Sequence, residues 1–91
     1  SLEIENFITA YNKINLEISL FPNPASDDVY INGIENVDSL KVQLFDEKGR
    51  ILAKDLELIG NKFVVKNLNA GVYYCKITLN GISVSKKLVK L

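Results

Sequence analysis

Residues 72–88 read Val-Tyr-Tyr-Cys-Lys-Ile-Thr-Leu-Asn-Gly-Ile-Ser-Val-Ser-Lys-Lys-Leu, and this stretch decides the fold. Apolar and polar residues alternate on both sides of Asn80-Gly81, as they do in half-buried strands. Asn-Gly is typical of a two-residue type I′ turn, because both central residues of that turn need positive φ. The turn sets a register that pairs Leu79 with Ile82, Ile77 with Val84, Cys75 with Lys86 and Tyr73 with Leu88.

Similar short segments of alternating polarity precede this hairpin. They span residues 14–20, 29–31, 40–45, 50–54, 56–59 and 62–66. Between them, Asp46-Glu47-Lys48-Gly49 is typical of a type I turn closed by a glycine bulge, and Gly60-Asn61 is typical of another tight hairpin. About seven short strands separated by such turns predict an all-β protein, built as an antiparallel β-sandwich.

The length of 91 residues suits one small domain with a single core. We assign the sandwich to residues 14–91. Residues 1–13 have apolar residues near helical spacing but also include residues that favour strands. We therefore interpret residues 1–13 as a connection to a preceding domain or as an added N-terminal element.

The sequence lacks residues that several kinds of catalytic, disulfide and metal site need. The chain has no His, and its one cysteine, Cys75, can form neither an internal disulfide nor a cysteine-rich zinc site. We expect Cys75 to be a small buried apolar residue. The adjacent acids Asp27-Asp28 and Asp46-Glu47 do not make a facing catalytic pair, since neighbours on a strand point to opposite faces. The sequence predicts no enzyme activity, no metal site and no cofactor.

Charge and hydropathy exclude some classes of binding partner. The net charge of zero argues against a dedicated nucleic-acid binder, and no apolar run is long enough for a membrane span. The charge is nonetheless uneven: residues 1–40 carry one lysine and seven acids, whereas residues 41–91 carry ten basic residues and four acids. Either the two parts offset each other across neighbouring strands, or a basic C-terminal edge faces an acidic partner.

Two side chains have predicted local roles. Asp46 should accept hydrogen bonds from the backbone of its own turn, and Arg50 should pair with its carboxylate. Tyr73, at the start of a strand, either forms a tyrosine corner with the backbone of the preceding loop or contacts a ligand.

Four motifs, taken in order, resemble those of one family. They are Phe21-Pro22-Asn23-Pro24-Ala25-Ser26, Val42-Gln43-Leu44-Phe45-Asp46-Glu47-Lys48-Gly49-Arg50, Leu68-Asn69-Ala70-Gly71-Val72-Tyr73 and Lys86-Lys87-Leu88-Val89-Lys90. They are similar to an opening aromatic-Pro-Asn-Pro-Ala motif, an Asp and Gly-Arg block, a Leu-x-x-Gly-x-Tyr block and a lysine-rich terminus. The family is the type A C-terminal sorting domain of the type IX (Por) secretion system of Bacteroidetes, and the resemblance covers residues 16–91.

The resemblance implies an immunoglobulin-like antiparallel β-sandwich of about seven strands, which serves as a non-catalytic address on a larger cargo protein. Residues 1–13 would then connect the sandwich to the cargo. The implied partners are the type IX secretion machinery and its sortase-like cysteine protease, which removes the domain. The implied route passes through the periplasm and ends at the cell surface or outside the cell.

We hypothesise that the motif residues carried over from the family divide by role. Those expected to hold the fold are Pro22, Asn23, Pro24, Asp46, Gly49, Arg50, Leu68, Gly71 and Tyr73. Those expected to be recognised are Lys86, Lys87, Leu88, Val89 and Lys90. They lie on a last strand whose unpaired edge would offer main-chain hydrogen bonds to a receptor by strand addition. The lysines could instead only protect this edge from aggregation, and the edge could join two copies as a weak dimer.

The alternative function is a surface-exposed binding or spacer sandwich, for example one that contacts glycans. Such a function needs an exposed aromatic platform, for which the candidates are Tyr30, Phe45 and Tyr74.

Overall fold

A computed structural model describes residue 12, residues 17–34 and residues 40–91. These residues contain seven strands. Their bounds are β1 (Ser19–Phe21), β2 (Asp28–Asn32), β3 (Leu40–Asp46), β4 (Ile51–Ala53), β5 (Lys62–Val64), β6 (Gly71–Leu79) and β7 (Ile82–Lys90). The interpretation of residues 1–13 lies outside the described residues, apart from residue 12.

The strands form two antiparallel sheets, one in the order β1-β2-β5 and the other in the order β4-β3-β6-β7. The first, second and fifth strands thus share one sheet, while the third, sixth and seventh share the other. This is the strand order of an immunoglobulin-like sandwich. The predicted all-β sandwich is confirmed.

The hairpin of β6 and β7 has the predicted register. Leu79 pairs with Ile82, and the pairing continues without a shift to Gly71 and Lys90. Asn80 and Gly81 adopt φ of 52° and 78°, as the type I′ turn requires. The turn chemistry therefore fixes which side chains of β7 face the core.

One apolar core lies between the two sheets. Its members are Ile18, Leu20, Ala25, Val29, Ile31, Val42, Leu44, Phe63, Val65, Tyr73, Cys75, Ile77, Val84 and Leu88. They alternate with outward-facing residues along the longer strands, which is why the period of two was visible in the sequence. Among the described residues, none that is polar or charged lies fully buried.

The first predicted strand differs in its extent. It begins at Ser19 rather than at residue 14, and residues 14–16 lie outside the described part of the chain. Ile18 is nevertheless buried in the core. Ile18 therefore packs into the core although it lies before the first paired residue of β1.

The strand predicted at residues 56–59 is not formed. Leu56 donates one backbone hydrogen bond to the Val42 carbonyl at 2.8 Å, and Ile59 pairs with Lys62 across the Gly60-Asn61 turn. The tight turn is confirmed, but it closes a single bridge. Leu56 and Leu58 pack against the core without a continuous ladder.

After β1 the chain crosses from one sheet to the other. Pro22 and Pro24 lack N–H groups, and pairing with β2 ends where they begin; the peptide bonds that precede both prolines are cis. Ala25 then pairs in parallel with Lys90 on β7. Residues 22–25 thus bring the start of the sandwich against its last strand.

Candidate recognition site

Residues 23–25 and 87–91 form one hydrogen-bonded unit, which we call the terminal clamp. The Asn23 side chain donates from Nδ2 to the Lys87 carbonyl oxygen at 2.8 Å and accepts at Oδ1 from the Val89 N–H at 2.9 Å. Ala25 continues the pairing through its backbone. Its N–H donates to the Val89 carbonyl and its carbonyl accepts from the Leu91 N–H, both at 2.8 Å.

The terminal clamp corrects the prediction of an unpaired last strand. Outward-facing backbone groups of Lys87, Val89 and Leu91 already have partners, so a receptor cannot pair with them by strand addition. The edge is open nearer the turn, where Ser83 and Ser85 pair with no second strand among the described residues. Pairing of two copies stays a prediction, restricted to that shorter stretch.

The residues predicted to be recognised are divided between the core and the surface. Leu88 is 0% exposed and belongs to the core, so its side chain is not accessible to a receptor on the folded domain. Lys87 is exposed, Val89 and Lys90 are half-buried, and Leu91 is 68% exposed. Lys87 and Leu91 are therefore the most accessible side chains of this segment.

The other two lysines of the segment have more restricted positions. Lys86 is half-buried and lies opposite Cys75, as the predicted register requires. The Lys90 Nζ donates a hydrogen bond to the Leu91 carbonyl oxygen at 2.9 Å. Lys87 is thus the lysine of this segment that is most open to solvent.

Asp46 organises the turn after β3. Its Oδ1 accepts from the N–H groups of Lys48 and Arg50, both at 2.9 Å, and its Oδ2 accepts from the Arg50 Nε at 2.8 Å. The Arg50 backbone N–H lowers the pKa of the Asp46 carboxyl most, and the Arg50 guanidinium lowers it further. Gly49, at φ of 82°, closes the turn by donating to the Asp46 carbonyl at 3.0 Å. The predicted hydrogen bonding of Asp46 is confirmed.

Tyr73 forms the tyrosine corner. Its hydroxyl donates to the Asn69 carbonyl at 2.7 Å, and the residue is buried at the start of β6. Two other motif residues lie on the same corner: Leu68 packs against the core, and Gly71 begins β6. The corner joins the loop after β5 to the strand that carries the hairpin.

The aromatic candidates for a glycan platform are divided between the sheets. Phe45 and Tyr74 lie opposite each other on β3 and β6 and line a shallow groove with Lys76. Tyr30 lies in the other sheet, on β2, where it pairs with Phe21 of β1. Because the three rings do not share a surface, the binding-sandwich alternative is weakened.

The described residues hold no obvious reactive centre. Cys75 is fully buried, and burial raises the pKa of its thiol to about 12, so the thiol stays protonated near neutral pH. In these same parts of the chain, no three potential metal ligands come together. No helix found there has the length and apolar character needed to cross a membrane.

Charges from the basic and the acidic parts of the sequence meet across β2 and β5. Lys62 Nζ on β5 lies 3.9 Å from Asp28 Oδ2 on β2, which joins the basic and the acidic parts of the sequence. The pair is partly exposed and contributes little to stability. It leaves the basic character of the terminal clamp unchanged.

Sequence reasoning missed the partners of Asn23 and the role of Ala25. Asn23 was expected to hold the fold, but nothing local indicated that its amide would pair with residues at the opposite end of the sequence. Ala25 is 0% exposed, and its small side chain lets the backbone approach β7 closely. The one available signal was a small residue placed directly after the Pro-Asn-Pro turn.

These features define a class: an immunoglobulin-like sandwich in which the segment after β1, residues 22–25, meets the last strand at one surface. A family model described as the secretion system C-terminal sorting domain matches residues 19–91. The chain belongs to this family of sorting domains. No curated protein matches the chain.

Membership gives the domain its role. Domains of this family are sorting signals for cargo of type IX secretion and are generally non-enzymatic. The chain is therefore a sorting module that interacts with the type IX machinery and directs export toward the cell surface or the outside.

Proposed function

We propose that the type IX machinery recognises this domain through the accessible side chains of the terminal clamp, foremost the exposed Lys87 and Leu91 together with the half-buried Lys90. The supporting observation is the double support of this segment, with β6 on one side and residues 23–25 on the other. The backbone from which Lys87 and Lys90 project is therefore held in place on both sides. A preorganised basic patch loses little entropy on docking and orients the domain on an acidic surface.

The domain itself performs no catalysis in this proposal, and it is recognised in the periplasm, before the cargo crosses the outer membrane. A sortase-like cysteine protease of the machinery then separates the domain from its cargo. Ile18 is buried in the core and Ser19 begins β1, so a cut at or after Ile18 would divide the folded domain. In this proposal the bond that is cut therefore lies before Ile18.

The test uses a reporter enzyme with a signal peptide, fused in front of the full 91-residue chain and produced in a bacterium with a type IX system. The exported fraction is the reporter activity in the medium and on the cell surface, divided by the total. We expect K87E/K90E to lower that fraction about fivefold, because two reversed charges at a docking surface cost about 1 kcal/mol.

The matched control is K41E/K76E, which makes the same change of charge at exposed lysines of β3 and β6. We expect this control to be exported like the parent fusion. Normal export of K87E/K90E would contradict the proposal, and so would an equal loss in both variants, since that would report net charge alone. The mass of the exported reporter shows whether the domain has been removed.

A further inference from the structure

We propose that Asn23 is a positioning residue for sorting: its amide fixes the place of the recognised side chains on β7. The signal is then composite, made of the Pro-Asn-Pro segment and the last strand together. This inference rests on the proposed recognition of the terminal clamp and adds the residue on which that recognition depends.

The amide of Asn23 takes the place of one residue in a neighbouring strand. It presents one donor and one acceptor to the edge of β7, and they meet the Lys87 carbonyl and the Val89 N–H. Ala25 then supplies the next donor and acceptor from its backbone, to the Val89 carbonyl and the Leu91 N–H. A side chain and a backbone segment thus combine into one short strand equivalent along the end of β7.

This arrangement keeps the backbone of the exposed residues in one conformation. A terminal strand paired on one side opens readily at its end, because few hydrogen bonds hold it. The bonds from Asn23 and Ala25 are added to the pairing with β6, which reaches Lys90. The backbone from Lys87 to Lys90 is therefore held from both sides, and Leu91 is held by Ala25, so a receptor does not have to order this segment on binding.

A merely structural role for Asn23 predicts a different result, and Asn61 supplies the comparison. Asn61 donates from Nδ2 to the Ile31 carbonyl oxygen at 3.1 Å, so it also bonds a backbone group far away in the sequence. That bond lies between β2 and the turn before β5, away from the terminal clamp. Asn61→Ala therefore removes an amide-to-backbone bond without releasing β7.

The experiment compares Asn23→Ala, Asn23→Asp and Asn61→Ala in the full chain. Amide hydrogen exchange is measured on the isolated 91-residue protein, and export is measured with the reporter fusion. We expect Asn23→Ala to speed exchange at Val89 and Leu91 roughly tenfold and to lower the exported fraction about twofold or more, since docking depends on the fraction of molecules in which the segment is closed. Asn23→Asp keeps the acceptor for the Val89 N–H and loses the donor, so we expect intermediate exchange and intermediate export. Asn61→Ala should be exported like the parent.

The outcomes separate this inference from the proposal beneath it. Loss of export that follows exchange at Val89 across the Asn23 variants, with Asn61→Ala unaffected, supports the positioning role. Normal export of Asn23→Ala beside failed export of K87E/K90E overturns the inference alone. Equal loss in Asn23→Ala and Asn61→Ala also overturns it, since stability would then be sufficient as the cause. Normal export of K87E/K90E overturns the proposed recognition surface itself, whatever Asn23 does.

If Asn23→Ala does not fold, Asn23→Asp carries the test. Fast exchange at Val89 and Leu91 with native exchange in β3 then identifies local release of β7. Normal export of such a locally released variant would overturn the inference.

Discussion

At the turn after β3, the carboxylate of Asp46 accepts hydrogen bonds from two backbone N–H groups and from the Arg50 side chain. These bonds favour the ionised carboxyl, which is why its pKa is lowered. A carboxyl whose pKa is lower in the folded than in the unfolded chain stabilises the fold at pH values above its ordinary pKa of 3.8. That stabilisation is lost as the pH falls through the folded-state pKa.

Asp46→Asn should therefore destabilise the domain more at about pH 7 than at about pH 3. The difference in the free energy of unfolding between the parent and the variant, measured by urea titration, should shrink on acidification. Asp55→Asn, at an exposed aspartate in the loop after β4, is the control. A difference that stays constant over this range would contradict the assigned role of the Asp46 carboxylate.

Tyr73→Phe should lower the free energy of unfolding by about 1 kcal/mol, because the partly buried hydrogen bond from the Tyr73 hydroxyl to the Asn69 carbonyl is lost. Thermal and urea unfolding measure this loss. Tyr74→Phe, on the neighbouring and exposed residue of β6, should leave stability nearly unchanged. Equal effects of the two substitutions would contradict the tyrosine corner.

At the scale of elements, the β6–β7 hairpin was predictable because its turn and its period of two specify the same register. Residues 56–59 show the limit of this reasoning. Alternating burial is visible in the sequence there, but Leu56 and Leu58 reach the core with only one backbone bond from Leu56 to Val42. Alternation therefore reports which side chains are buried and does not report whether a strand partner is available.

The terminal clamp was not predictable for a related reason. Pro22 and Pro24 mark the end of pairing in the sequence, but the edge that Asn23 and Ala25 then meet is set by the closing of the whole sandwich. An unpaired last strand was the natural expectation for a terminal hairpin. The structure shows its end already occupied, so the candidate site consists of side chains rather than of a free backbone edge.

In the terminal clamp, shortening the side chains of Leu88 and Leu91 should have very different effects on stability. Leu88→Ala removes a fully buried side chain and should cost about 2 to 5 kcal/mol. Leu91→Ala, at a residue that is 68% exposed, should change stability by less than about 0.5 kcal/mol. Urea unfolding measures both.

This contrast also affects how the segment is tested in cells. A deletion of residues 86–91 removes Leu88 from the core together with the exposed residues, so lost export after it would not identify a recognised surface. Equal destabilisation by Leu88→Ala and Leu91→Ala would contradict the separation of core and surface described here.

At the scale of the whole molecule, the buried apolar residues of the described chain begin at Ile18. A chain of residues 14–91 keeps every residue of this described core, so we expect it to unfold at nearly the same temperature as the full chain. Circular dichroism on heating measures the midpoint. A chain that starts at residue 22 lacks Ile18 and Leu20 and should be strongly destabilised. Unfolding of the 14–91 chain under native conditions would contradict the assigned domain boundary.

Because residues 23–25 pair with β7, the domain can fold completely only after all of β7 has been synthesised. β7 is the last of the seven strands to leave the ribosome, and until it arrives the core lacks Val84 and Leu88 and Asn23 has no partner. A polypeptide that is cut short before β7 cannot close the sandwich or display the clamp. We expect such truncated copies to be withheld from export, so that the domain also acts as a check that its cargo was translated to the end.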